Sequence, residues 1–386
     1  MCKLQKLNIT NFLLVFVLAF ICCHKIYTQD HNQNAPPHFQ VCWVYPTYKL
    51  TDLQFASDND LNIYSALLDG KLISIKGTSG EKRWESDLGG DILSAPLVDA
   101  FNVYIAAGYI NERILGGWRD TDTLTLRSIN KATGVTLWKS EFSNAFLPIE
   151  KVYLFSFVNY LIFVGDNGDI YSINKTNGRI IWKKSLNAKL SSEPFVKADR
   201  LTVATLSNKV IGLSMYDGRL IENLHFPVSL TTIVESVNEN NFILGDGKGL
   251  IVSYNKKLKT QGWKFRNGAE ISDITFTREG LLVSSSDNYI YMIAEADGKL
   301  FWKRRLSGRI SDKPQIFGNY IIVAANDDSS AAVLELYGGK LVNRVVLGED
   351  NYFVGGSMRT GNYIIYATLK GILSFSDISG GGCLAK

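Results

Sequence analysis

The feature that most constrains this chain is a tryptophan that returns about every forty residues, four positions after a glycine: Gly80/Trp84, Gly134/Trp138, Gly178/Trp182 and Gly298/Trp302. The frame extends to two copies without the indole, Gly218/Glu222 and Gly339/Asn343, and back to Trp43; at Trp263 the glycine reads as displaced to Gly262. Successive steps are 41, 54, 44, 40, 41, 39 and 41 residues, the long one explained by an insertion around Tyr109 to Thr123. Self-similarity at that period predicts a repeat architecture, in which each unit buries its apolar faces against its neighbours.

Within each copy the residues before the glycine alternate, as in GKLISIKGTSG from Gly70, GDIYSINKTNG from Gly168 and DNYIYMIAEADG from Asp287. Such alternation, rich in β-branched and aromatic residues and closed by a turn, reads as strand, turn, strand. A further apolar run lies upstream, at 102–107, 160–164, 242–244 and 320–324. The 33 Gly, 18 Tyr and 20 Phe fit short strands and tight turns, and a 46% hydrophobic chain with only 8 Pro excludes a disordered or collagen-like one. The fold expected is all-β: an eight-bladed β-propeller of four-stranded antiparallel blades.

The count closes at the ends. The last copy, from Tyr363, has its inner strands but no Trp-bearing strand, whereas Trp43, in FQVCWVY, has that strand and nothing before it. Residues 39–46 are therefore expected to supply the outer strand of the eighth blade, so that the N-terminal strand joins the C-terminal blade and leaves no open sheet between the first and last units.

Ahead of the repeats, Lys3 and Lys6 precede an apolar run from Phe12 to Cys23, which reads as an export signal over 1–23. Its end at Cys22-Cys23 suggests a lipid-modified cysteine, with an ordinary cleaved leader or an uncleaved anchor as the open alternatives. Residues 24–38 read as a polar tether and 39–386 as a single propeller domain. Lys+Arg 41 against Asp+Glu 37 gives +4, and loss of Lys3 and Lys6 would leave +2, too little for a duplex-binding surface, so no nucleic acid is expected.

Few residues invite chemistry. Trp43, Trp84, Trp138, Trp182, Trp263 and Trp302 share one phase, which inter-blade packing explains: an indole buries a large area while its N–H finds a carbonyl. Trp118 is out of phase in the insertion and is expected to be exposed, a candidate partner contact. His24, His31 and His38 precede the domain and His225 stands alone, so no His-bearing metal site or Ser/His/Asp triad assembles. Asp69, Asp166, Asp217, Asp246 and Asp297 recur beside turn glycines, as turn chemistry requires. No catalytic, cofactor or metal residues are assigned. Of five cysteines only Cys42 and Cys383 belong to the body, and both map to the closing blade, where they form either a bridge between the termini or two unrelated thiols.

The motif Asp/Asn-Gly-x-hydrophobic-x-Ser/Ala-hydrophobic-Asn/Asp-x-x-x-Gly-x-x-x-Trp, best carried by Asp166-Asn167-Gly168 and Gly178-Arg179-Ile180-Ile181-Trp182, resembles the repeat of pyrroloquinoline-quinone-type propellers. Over residues 39–378 the chain is most similar to the BamB family of outer-membrane β-barrel assembly factors. The resemblance implies a lipoprotein scaffold without a cofactor, on the periplasmic face of the bacterial outer membrane. It implies binding to the periplasmic domains of a BamA-like barrel-inserting subunit and to unfolded outer-membrane protein precursors, by strand addition to blade edges. In that family two neighbouring connections contact the partner. By blade counting they fall at 187–194 and 226–237, where Leu190 and Glu235 are the nearest counterparts; the arginine of the first connection is absent. The alternatives are a periplasmic quinoprotein-type oxidoreductase, with quinone and Ca²⁺ at the hub, or a solute-binding propeller. The short steps leave little room for that enzyme's added loops, and the only adjacent-cysteine pair, Cys22-Cys23, lies in the leader.

Overall fold

The structure is a computed structural model and describes residues 37–48, 50, 55–108, 123–143, 149–226, 229–236, 239–310, 313–326, 328–377 and 383. The leader with Cys22 and Cys23, the tether up to residue 36, and the insertion with Trp118 lie outside the described residues. Among the described residues there is no helix; the strands form eight separate antiparallel sheets, each four strands deep, in ring order.

Blade 3 shows the plan. Its strands Val152–Phe157, Tyr160–Gly165, Asp169–Asn174 and Ile180–Ser185 pair in sequence order, with Val152 opposite Gly165 and Asp169 opposite Ser185. Blades 4, 5, 6 and 7 repeat it from Phe195, Leu230, Ile271 and Gln315, and blade 1 from Ala56. Blade 2 departs from the plan: its first strand is split into Asp91–Ile92 and Leu97–Val98, both paired with Asn102–Gly108. Pro96 lies in the gap and has no N–H for a ladder, and there Ser94 Oγ accepts from Ala106 N at 2.8 Å.

Blade 8 consists of Phe353–Thr360, Tyr363–Thr368 and Gly371–Asp377, completed by the N-terminal strand Phe39–Pro46 in a register from Phe39 opposite Asp377 to Pro46 opposite Gly371. Cys42 on that strand is joined to Cys383, with Cα atoms 5.1 Å apart.

The apolar cores lie between sheets. In blade 1, Ile63 packs with blade 8, beside Trp43 and Ile365, while its neighbour Tyr64 packs with blade 2, beside Val103 and Ile105. Successive side chains of a strand point to opposite faces, so a strand with a blade on each side is buried at every position. Asn62–Ala66 and Tyr363–Thr368 are buried throughout for this reason.

Candidate functional site

Three places could carry function: the seams between blades, the hub, and the outer edges. At the seams, each indole reaches forward into the next blade. Trp43 Nε1 donates to Gly77 O at 2.7 Å, Trp84 to Lys131 O at 2.9 Å, Trp138 to Lys175 O at 2.8 Å, Trp263 to Glu295 O at 2.8 Å and Trp302 to Leu336 O at 3.1 Å. In every case the acceptor stands three residues before the turn glycine of that next blade. The glycine lies against the ring: a Cβ at Gly80, Gly134, Gly178, Gly218, Gly298 or Gly339 would fall under 3.0 Å from indole atoms of Trp43, Trp84, Trp138, Trp182, Trp263 or Trp302 respectively. These glycines also hold positive φ, +73° at Gly178 and +63° at Gly339, which other residues adopt only with strain. The glycine four residues before each Trp thus serves the preceding blade's Trp. Trp182 keeps its glycine, but its buried Nε1 has no acceptor.

The two copies without an indole obey the same logic. Glu222 takes the Trp position of blade 4, and in blade 5 the corresponding turn position is Lys259, at φ +53°. Gly262, read from sequence as the displaced turn glycine, lies inside the strand Thr260–Arg266. With no indole to receive, the turn accommodates a side chain. Asn343 takes the Trp position of blade 7; in blade 8 the third and fourth strands come from opposite ends of the chain, so no turn exists there for a Trp to meet.

At the hub, Lys313 Nζ, entering blade 7, meets Glu193 of the segment entering blade 4 at 3.0 Å and lies 4.0 Å from Asp273 on the first strand of blade 6. Thr275 Oγ1 donates to Asp273 Oδ2 at 2.6 Å. Burial pushes the Asp273 carboxyl above its ordinary value, against the opposing pull of Lys313 and Thr275. Burial and the Glu193 charge likewise push up the Tyr153 phenol. An ammonium between two carboxylates ties three blades together and supplies its own counter-charge. Among the described residues no three His, Cys, Asp or Glu side chains converge as a metal ion would need.

The turn aspartates do turn chemistry: Asp217 Oδ1 accepts from Arg219 N, Asp297 Oδ1 from Lys299 N, and Asp246 Oδ1 from Lys248 N and Leu250 N. A second aspartate device went unread in the sequence. Asp58 accepts from Asn62 and Tyr64 Oη, and Asp99 from Asn102 N and Tyr104 Oη at 2.9 Å. Burial and this carboxylate push the Tyr104 phenol up to about 12. The Asn-x-Tyr triplet three or four residues after an Asp in blades 1 and 2 was the signal for it.

The two residues expected in one partner surface are not together. Leu190 is half-buried against Ile162 and Val203, its N–H donates to Asp166 O at 2.8 Å, and it bridges Thr205, just past the second strand of blade 4 (Arg200–Ala204). Glu235 is paired with Arg200, at the start of that strand. The two sites are thus separated by about 16 Å of strand, at ~3.3 Å per residue. Nor is Glu235 in a connection: it ends the strand Leu230–Glu235, its side chain 1% exposed and held by Arg200 and Lys256. Blade counting located the segment but could not see that a first strand links opposite faces of the ring. The Arg200–Glu235–Lys256 cluster had no sequence signal, since its members are 35 and 21 residues apart in unrelated contexts.

The outer edges repeat an exposed apolar feature from blade to blade. Fourth strands end their sheets and are hydrogen-bonded on one side only. They carry Leu137, Ile180 and Ile181, Leu220 and Ile221, and Leu300 and Phe301, all exposed, and Val135, also exposed, lies just before the strand Thr136–Ser143. Cations such as Lys183, Lys184, Lys303 and Arg304 follow on the same strands.

The comparisons with known proteins agree with this architecture. The family model described as outer membrane protein assembly factor BamB matches residues 49–147, 123–257 and 247–345. An outer membrane protein assembly factor BamB from Moranella endobia (strain PCIT) is 20% identical over 290 residues, 70% of this chain and 69% of that protein. Its counterpart from Legionella pneumophila (strain Paris) is 22% identical over 185 residues, 44% of this chain and 47% of that protein. The crystal structure of BamB from Moraxella catarrhalis superposes with a TM-score of 0.69 at 13% identity, covering 88% of this chain and all of that one, a likeness of fold. With an eight-bladed ring and a family model spanning most of it, the chain belongs to the family of the outer membrane protein assembly factor BamB.

Proposed function

We propose that this chain is a non-catalytic accessory factor of outer-membrane protein assembly, exported and held at the periplasmic face by a lipid on Cys22 or Cys23. It binds the periplasmic domains of the barrel-inserting subunit and presents its blade edges to extended barrel precursors. The observation that carries this reading is the set of outer strands that pair an exposed aliphatic or aromatic doublet with an unpaired backbone edge. An extended chain can add to such an edge through main-chain hydrogen bonds while its alternate side chains cover the doublet, and the neighbouring lysines and arginines discourage edge-to-edge association of the rings themselves. The names of the matched relatives point to the same process.

Affinity capture of the tagged full chain from detergent-solubilised membranes tests the proposal. A large barrel protein with periplasmic repeats is expected among the captured proteins, and a chemical crosslinker should hold precursor segments to the outer strands. Capture without any barrel protein, crosslinked or not, would sink it. The variant Ile180→Glu/Ile181→Glu, with both changes at exposed positions, is expected to lower precursor crosslinking at blade 3 while the ring stays folded.

A further inference from the structure

The outer halves of blades 5 and 6 differ from the rest of the ring in charge. Residues 247–269 hold six Lys and Arg and residues 298–311 hold five, with no Asp or Glu in either stretch, although the whole chain is nearly balanced at 41 against 37. The two stretches run through the fourth strands Thr260–Arg266 and Leu300–Arg305. Their cations stand beside exposed apolar side chains. In the turn before the fourth strand of blade 5, Leu258, 69% exposed, lies between Lys257 and Lys259; at the start of the fourth strand of blade 6, the exposed Leu300 and Phe301 lie between Lys299 and Lys303. The two places meet at one seam, where Trp263 of blade 5 donates to Glu295 O in the turn of blade 6. Lys299 is taken up by Asp297 at 2.7 Å, whereas Lys257 and Lys259 are exposed and make no ion pair among the described residues.

We propose that this corner of the ring docks on an anionic phospholipid surface. Leu258, Leu300 and Phe301 enter the head-group boundary, and the lysines around them meet the lipid phosphates. Shallow burial of apolar side chains and attraction of clustered cations to anionic lipid add to one another, as they do in interfacial helices. The position of the corner in the fold favours a membrane over a soluble acidic partner. In each blade that runs in sequence order, the first-to-second and third-to-fourth turns share one face of the ring, because its strands are antiparallel. Leu258, in a third-to-fourth turn, and Leu300 and Phe301, just after one, therefore lie toward that face. The N-terminal strand starts on the same face, since Phe39 lies opposite Asp377 at the end of the third strand of blade 8. Thirteen residues separate Cys23 from Pro37, a reach of about 45 Å when fully extended. A lipid on Cys22 or Cys23 thus holds a bilayer within reach of the face that carries the basic, apolar corner.

This inference rests on the proposed lipid anchor for its choice of partner, yet it fails separately. The test is methyl NMR of the full chain in nanodiscs of phosphatidylcholine, alone or mixed with phosphatidylglycerol, each doped with a lipid bearing a nitroxide on its head group. Line broadening is expected at Leu258 and Leu300 in the phosphatidylglycerol discs only, and it should vanish at high salt. Leu68 and Leu206, exposed in turns of the opposite face, should stay sharp. Lys257→Glu/Lys259→Glu, at exposed turn positions, is expected to lower the ratio of docked to undocked chains at least about 25-fold, about fivefold for each cation removed. Equal broadening in the two lipids, or equal broadening on the two faces, would overturn the docking surface. So would shifts of Leu258 and Leu300 on adding poly-glutamate without any broadening by the discs, which would give the corner to an acidic polypeptide. Chains that stay with both kinds of disc but show no broadening keep the anchor and lose the docking surface. Chains that stay only with phosphatidylglycerol discs, broadened at Leu258, keep the docking surface and lose the anchor; chains that stay with neither refute both.

Discussion

The seam between blades 1 and 2 and the seam between blades 4 and 5 solve one packing problem in two ways. Both bury aliphatic side chains between sheets: Leu72 and Ile105 in the first, Val210 and Leu244 in the second. They differ at the ends. In the first, Trp84 fills the outer corner, its ring on Gly134 and its N–H on a carbonyl. In the second, Glu222 stands where the indole would be, Lys259 where the glycine would be, and a buried ion cluster of Arg200, Glu235 and Lys256 joins the two blades. An indole corner gains from area and one hydrogen bond and has a single arrangement. An ionic stitch must first offset the removal of its charges from water, so it contributes specificity more than net stability. A pocket of about 400 Å³ lies beside the ionic seam, among the first strands of blades 4, 5 and 6.

Four measurements would break or sharpen that contrast. The largest effect is expected at the third kind of seam, where the termini meet. Reduction of Cys42–Cys383, which closes a separation of 341 residues, should lower stability by up to ~6 kcal/mol on the loop-entropy model. Unchanged urea midpoints with and without reductant would show that strand pairing alone closes the ring. Next, Trp84→Ala removes a buried indole and leaves both a cavity and an unpaired carbonyl, for a loss of about 4 kcal/mol by chemical denaturation. A loss below about 1 kcal/mol would mean that indole corners are not what holds neighbouring blades.

Glu235→Ala strands Arg200 and Lys256 without their carboxylate, for about 3 kcal/mol, whereas Glu235→Gln should cost less because the shape is kept. Equal losses from the two would deny the ionic stitch its charge-based role. The smallest and most discriminating test pairs two turns. Gly178→Ala puts a Cβ against Trp138 at positive φ and should cost about 2 kcal/mol, while Lys259→Gly, facing no indole, should change stability by less than about 1 kcal/mol. Similar effects from both would show that backbone conformation alone, and not the facing indole, demands the glycine.

Much of this was legible in advance. A period of about forty residues set the number of blades, and the stranded Trp43 segment announced closure by the N-terminal strand, because a missing strand in one copy and a surplus strand elsewhere can only be reconciled by pairing them. The apolar stretches located the second and third strands, since burial on two faces concentrates aliphatic and aromatic residues there with only small polar ones such as Ser65 and Ser74 among them. The split first strand of blade 2 was not visible, because two-residue strands around a proline carry no periodicity. The site was legible only in part. Leu190 and Glu235 were placed by counting along the chain, and counting conveys neither the direction a strand runs between the faces of a ring nor whether a carboxylate is exposed.

What the sequence determined by itself is therefore the repeat: blade count, closure and the phase of the indoles, all of which are local periodicity written eight times. Tertiary structure alone decided which blade each glycine serves, which ions meet at the hub and at the ionic seam, and where a pocket opens. Those depend on contacts between different repeats, made across a ring by residues whose spacing along the chain follows no rule; Lys313 and Glu193 are 120 residues apart and become neighbours only because the ring is closed.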